Sequence, residues 1–398
     1  MSEEFGGFDP RMFENVPLFR ELAKVMSWSG GPVNWDLAVQ TAVGIATPQG
    51  DDPVSERETE ELAQAVSVAE LWLDQVTELP AVEGPVRAFS RQEWARLAAA
   101  PEGLGLYVEP IARGMTGALG EQLPEELRTM SGPLEQAMQS MGAMLYGVQI
   151  GTVAGHLADQ LLGTYDLGVP TVDARTVGTV GAGAASFASD WSFEEMEVRY
   201  WIALSECAHR RQFAGVAWLR EHLRGLIQRF AEEADPAASG LLDQLQGLGL
   251  DPSDPAALQE ALQGEDAFRI EPSSAQRAVL DQLQALVVFL QAWADTVVRA
   301  AAADKLTALP RIEETIRRRR AAKGPGERFL AQLLGIDLGA RDFRQAQAFC
   351  DAIIAARGQS GLDRVWAGPD RLPSAAELAE PSRWLVRMAA AELETGAE

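Results

Sequence analysis

Residues 200–223 read YWIALSECAHRRQFAGVAWLREHL, and the rest of the chain is best understood from this stretch. Its apolar residues recur at helical spacing. Ser192 with Glu195 makes the S-x-x-E pattern of a capping box, which predicts a helix starting near Ser192 and running past His209. Ser205 and His209 stand one turn apart on a shared face, with Glu206 beside them. Two histidines at that spacing bind zinc, and the glutamate between them acts as general base toward the metal-bound water. Here the first position is serine, so the pattern alone is weak evidence for a metal. Cys207 turns to another face and reads as a core thiol rather than a nucleophile paired with His209.

Outward from that helix the pattern stays mostly helical. Asn34 caps the start of Trp35-Asp36-Leu37, and Leu62, Val66, Ala69, Leu73 and Val76 form one apolar face. Ser90 with Glu93 opens a further helix ahead of Trp94. Met138–Leu157 carries no charged residue, and Ala143, Gly147, Gly151 and Gly155 form a smooth ridge along which another helix can approach closely. Its polar Gln139, Ser140, Gln149 and His156 argue for a buried helix over a bilayer span. His156 is expected to be hydrogen-bonded in the core or an interface, and His222 to lie at the surface.

Thr176–Val180 predicts a short strand. Gly178, Gly181 and Gly183 fit neither a dinucleotide fingerprint nor a phosphate loop, so the segment reads as an exposed or edge element. Residues 233–272 are rich in Asp-Pro and Gly and read as loop; a helix starts again near Ser273. The run Arg317-Arg318-Arg319-Arg320 is expected to form internal ion pairs or a solvated helix end.

Composition narrows the function. With 34 Lys+Arg against 58 Asp+Glu over 398 residues, the net charge of −24 argues against nucleic acid as a partner. Two cysteines cannot make a disulfide framework, and three histidines leave little for a metal site. The N-terminal stretch lacks a basic segment followed by an apolar one, so it does not read as a secretory signal. The expectation is a soluble, acidic, cytoplasmic protein without a membrane span.

The quoted helix resembles the metal-binding helix of a zincin-like family of zinc-dependent metalloproteases and hydrolases, whose members read close to W-x-A-L-H-E-x-x-H followed by Phe and P-W-L-R. The likeness extends along the chain through Gly31–Ala38, Gly147–Gly151, Leu162-Gly163-Thr164-Tyr165-Asp166, Leu333–Leu338, Arg364-Val365-Trp366 and Leu372-Pro373-Ser374. Members also carry E-G-H-A-D on a later helix, its glutamate the expected third zinc ligand. The matching block here ends Gln291-Ala292-Trp293-Ala294-Asp295. The resemblance therefore implies metal positions at Ser205, His209 and Gln291, of which His209 alone keeps its ligand type. It implies a vestigial general base at Glu206, and Trp293 and Asp295 as pocket residues.

A catalytic zinc needs three strong nitrogen, oxygen or sulfur donors plus water, and a serine hydroxyl and a neutral amide are poor replacements. No cofactor is expected: zinc, the family's metal, should be weakly bound or absent. Other chemistry is not supported: there is no G-x-S-x-G elbow, and no second Glu-x-x-His completes a di-iron site. The expected fold is mainly α with a small β-sheet: either an N-terminal helical region over 1–130 and a zincin-like metallopeptidase core with C-terminal helices over 131–398, or one continuous domain. The preferred function is a non-catalytic binding protein for a peptide, protein or small molecule in the former cleft. The alternatives are a metallo-hydrolase of altered mechanism using Glu206 and His209, and a structural or assembly protein with a closed site.

Overall fold

The structure, a computed structural model, describes residues 30–47, 54–121, 132–181, 183–233, 273–322, 331 and 339–395. The expected boundary near residue 130, the loop over 234–272 and the Leu333–Leu338 motif lie outside them. In chain order the elements are α1 (Trp35–Ala46), α2 (Glu56–Leu73), β1 (Val86–Phe89), α3 (Arg91–Ala98), α4 (Gly105–Glu121), α5 (Gly132–Leu157), β2 (Val177–Val180) and α6 (Gly183–Trp191). There follow α7 (Glu195–Arg210), α8 (Leu219–Glu232), α9 (Ser274–Ala302), α10 (Leu309–Ala321), α11 (Ala340–Asp363), α12 (Ala375–Ala379) and α13 (Pro381–Thr395). The protein is mainly α-helical with one small sheet, as its sequence predicts.

The small-residue ridge of α5 receives α1. Asn34 caps α1 by accepting the Leu37 N–H at 3.0 Å, and its own N–H donates to the Ala143 carbonyl at 2.8 Å. A Cβ at Gly147 or Gly151 would collide with the carbonyls of Asn34 or Ala38, so glycine there sets how close the two helices come. His156 lies at the exposed edge of this helix and not in the core; its ring is hydrogen-bonded, as expected, to the Thr152 carbonyl.

Ser55 and Ser273 form complete capping boxes with Glu58 and Gln276 at the starts of α2 and α9. Ser192 does something else. Its N–H donates to Ser189 and the Phe193 N–H donates to Ala188, the two bonds of a Schellman motif, with Ser192 in the left-handed region at φ 54°. Ser192 therefore ends α6, and α7 begins after Glu194. A serine three residues before a glutamate suits both roles, and the tight α6–α7 corner selects the left-handed one.

β1 and β2 pair in parallel, Val86 opposite Val177 and Phe89 opposite Val180. The strand at 177–180 is present and, in a two-stranded sheet, is an edge strand as expected, but it is not exposed: Val177 and Val180 are fully buried. α7 lies at the centre, with α2 on one side and α9 across another. Helix α9 is the one helix among the described residues long and apolar enough to cross a bilayer, and 83% of its apolar window is buried inside the protein, as in a core helix.

Candidate functional site

The site is built where α7, α9, β2 and the loop 162–168 meet. On α7, His209 is 1% exposed, and its Nδ1 lies 2.8 Å from the Ser205 carbonyl one turn earlier. A carbonyl only accepts, so Nδ1 carries the proton and Nε2 presents a bare lone pair. That Nε2 is buried without a hydrogen-bond partner. Burial lowers the imidazole pKa and holds the ring neutral, against the Ser205 carbonyl and the nearby Asp295 and Asp166 charges, which favour protonation. The Tyr165 ring stacks on it.

Glu206 is 3% exposed and is held from several directions. Its Oε1 accepts the Tyr165 N–H at 2.8 Å; its Oε2 accepts the N–H of Thr164 at 3.0 Å, the N–H of Gly178 at 3.2 Å and the Thr164 hydroxyl. The Leu162–Asp166 motif is thus a cradle for this carboxylate. Gly163 and Gly178 are required by the close fit: a Cβ at Gly163 would strike Glu206, and one at Gly178 would strike the Arg87 carbonyl on β1. Burial pushes the carboxyl up to about 7, with the Asp166 charge adding to the rise; the donors from Thr164, Tyr165 and Gly178 oppose it without cancelling it. When protonated, Glu206 can donate to the Thr164 hydroxyl, which has the Thr176 carbonyl 3.3 Å away as an alternative acceptor.

Ser205 is half-buried on the His209 face, and Gln291 on α9 is 8% exposed. Gly168, with φ at 76°, brings the 162–168 loop against Gln291, where a Cβ would lie 3.0 Å from Oε1. Asp295, one turn after Gln291 on the same face, pairs with Arg320 at 2.5 Å and 3.2 Å. Trp293 is not in this group. Two residues past Gln291, it points around to the opposite side of α9, where its indole N–H donates to Asp363 at 3.0 Å and its ring meets Trp366 edge-on. Asp363 also accepts from Thr77, the Glu78 N–H and Gln359, so Trp293 belongs to a packed structural joint.

The 162–168 loop thus touches Glu206 and His209 through Tyr165 and faces Gln291 through Gly168, the Asp295 charge acts on His209, and Trp293 packs elsewhere, with Asp363 and Trp366. Glu206, His209 and Gln291 are all buried, while Ser205 is half-buried. Residue-by-residue reading missed the contributions of Thr164, Tyr165, Asp166, Gly178, Arg319 and Arg320, although the Leu162–Asp166 motif and the arginine run both marked their places. That run divides: Arg317 and Arg318 pair with Glu314 on their own helix, while Arg319 reaches Asp166 at 3.0 Å and Arg320 reaches Asp295.

The donor set does not fit a catalytic zinc. His209 presents the right tautomer with a free Nε2, but the other two positions offer neutral oxygens, and the Glu206 oxygens are already engaged. Among the described residues, no group of three His, Cys, Asp or Glu side chains is arranged to hold a metal.

The central helix bearing Glu206 and His209 packs against the helix bearing Gln291 and Asp295. The sequence model of the zincin-like metallopeptidase family matches residues 33–385, and the chain belongs to that family. A crystal structure from Chloroflexus aurantiacus, described as a candidate hydrolase with a novel fold, is 24% identical, with a TM-score of 0.62 over 90% of this chain and 99% of that one. At that identity the likeness speaks for the fold. No curated protein matches the sequence.

Proposed function

We propose that this zincin-like chain has lost zinc binding and zinc-dependent hydrolysis, and that it acts as a non-catalytic binding or assembly protein. The observation that carries this reading is the state of Glu206. A general base needs a lone pair facing a water, whereas both oxygens of this buried carboxylate are already engaged, Oε2 by two backbone N–H groups and a hydroxyl and Oε1 by a third N–H. The substitutions at Ser205 and Gln291 remove the metal that would set such a water in place. Because Glu206, His209 and Gln291 are all buried, the closed site favours an assembly role, with a protein partner bound on another surface, over a ligand seated in the former cleft.

Protein purified without chelator should carry far less than one zinc per chain, and a peptide and ester screen should show no hydrolysis that Glu206→Gln removes. Near-stoichiometric zinc bound through His209 would overturn the proposal. So would hydrolysis abolished by Glu206→Gln, which would favour the altered-mechanism reading that the bare Nε2 of His209 keeps in play.

A further inference from the structure

Two consecutive arginines at the end of α10 reach past their own helix to different walls of the His209 site. Arg319 pairs with Asp166 at 3.0 Å and also donates to the Gln160 carbonyl. Asp166 follows Tyr165, the residue that both stacks on His209 and holds Glu206, and it accepts the Leu162 N–H at 3.0 Å, which fixes it to the cradle. Arg320 pairs with Asp295, one turn beyond Gln291 on α9. Thus one helix end is fastened to both elements that border His209, while Arg317 and Arg318 stay on the solvent side with Glu314.

We infer that the C-terminal turn of α10 is an internal latch: while Arg319–Asp166 and Arg320–Asp295 both hold, His209 is shut away from solvent and from any partner. This goes beyond the loss of zinc chemistry, because it concerns access to the site and holds whether or not a metal ever binds. Both pairs are only partly buried, with side-chain exposures of 22% and 18% for the first and 18% and 27% for the second. Pairs of this kind contribute modestly and can be exchanged without unfolding the protein.

The chain carries its own controls. His156 is exposed, whereas Cys207 and Cys350 are fully buried on other faces. Diethyl pyrocarbonate attacks a neutral imidazole nitrogen, so it reads access to the bare Nε2 of His209. In the unaltered protein His156 should react rapidly and His209 slowly, by mass spectrometry of the peptides. In Arg319→Gln/Arg320→Gln, His209 should react about tenfold faster or more, with His156 unchanged and both cysteines still protected from N-ethylmaleimide. The reciprocal variant Asp166→Asn/Asp295→Asn should behave alike, and serves if the arginine variant folds poorly. The latch is refuted if His209 reacts no faster in either variant, or only in step with Cys207 and Cys350, which would mean general loosening.

Discussion

The Tyr165 ring lies against the His209 imidazole, centroids 5.6 Å apart and planes 20° from parallel, while the Tyr165 N–H donates to Glu206 at 2.8 Å. One loop residue thus touches both remaining members of the metal motif. It contacts His209 through its ring and Glu206 through its backbone, so the position of the loop and the orientation of the two α7 side chains are a single structural fact. On the proposed reading, a serine and a glutamine at the other ligand positions leave this arrangement with packing and hydrogen bonding to do in place of metal binding.

If Glu206 is a joint, its replacement should register in stability. Glu206→Gln turns one acceptor oxygen into an N–H₂ group facing N–H donors, and should cost about 2–4 kcal/mol by urea unfolding. Glu206→Ala, which leaves the Thr164, Tyr165 and Gly178 donors unpaired, should cost at least as much. A general base would show the reverse pattern, activity lost with stability kept.

The raised carboxyl fixes the sign of a pH effect. Glu206 titrates near its ordinary 4.5 when unfolded and at about 7 when folded, so between those values the native state holds a proton that the unfolded chain has released. Its contribution is therefore fully present below about 4.5, falls as pH rises toward about 7, and is flat above; the span is on the order of 3 kcal/mol. Urea unfolding of the unaltered protein against Glu206→Gln at pH 5 and pH 8 isolates it. A difference that grows with pH, or does not change, would contradict the burial argument.

Helical spacing alone was enough to put Ser205, Glu206 and His209 on one face, to predict the glycine ridge that receives α1, and to start α9 at Ser273. It also sufficed to exclude Trp293, which stands two residues, or some 200°, from Gln291; family register had pulled it into the pocket. The set of donors to Glu206 was not legible, because they lie 28 to 42 positions away along the chain. Nor was the split in the arginine run, since Arg319 and Asp166 are 153 positions apart. Ser192 shows the converse, a local pattern that two neighbouring helices both claim.

The junction of α2 with α7 rests on a buried cation. The Arg211 side chain is fully buried, and it donates to Glu70 at 2.5 Å, to Asp74 at 2.6 Å and to the Leu79 carbonyl at 2.7 Å; Arg210 adds a second contact to Glu70. Removing one partner of such a network strands the others, so Arg211→Ala should cost about 3–5 kcal/mol in urea unfolding. Arg211→Lys keeps the charge but not the fork, and should recover only part of that loss. A loss below the error of the measurement would show that the pairs add nothing to stability.

The last prediction restores donors rather than removing them. His209 already presents Nε2 as a bare lone pair, and residue 205 projects from the same face one turn earlier. Gln291→Glu supplies an anionic oxygen on the facing helix, and Ser205→His a second imidazole. The double variant would then offer three strong ligands where the present chain offers one. After dialysis against zinc, it should retain the metal at least about a hundredfold more tightly than the unaltered protein, with each single variant between them. The Arg320–Asp295 pair should limit this gain, because it places a guanidinium near the site and engages the carboxylate one turn from residue 291. Adding Arg320→Gln should therefore raise the affinity further. Tight retention by the unaltered chain, equal to that of the double variant, would mean that Ser205 and Gln291 do not prevent zinc binding, and the proposed loss of zinc chemistry would fall with it.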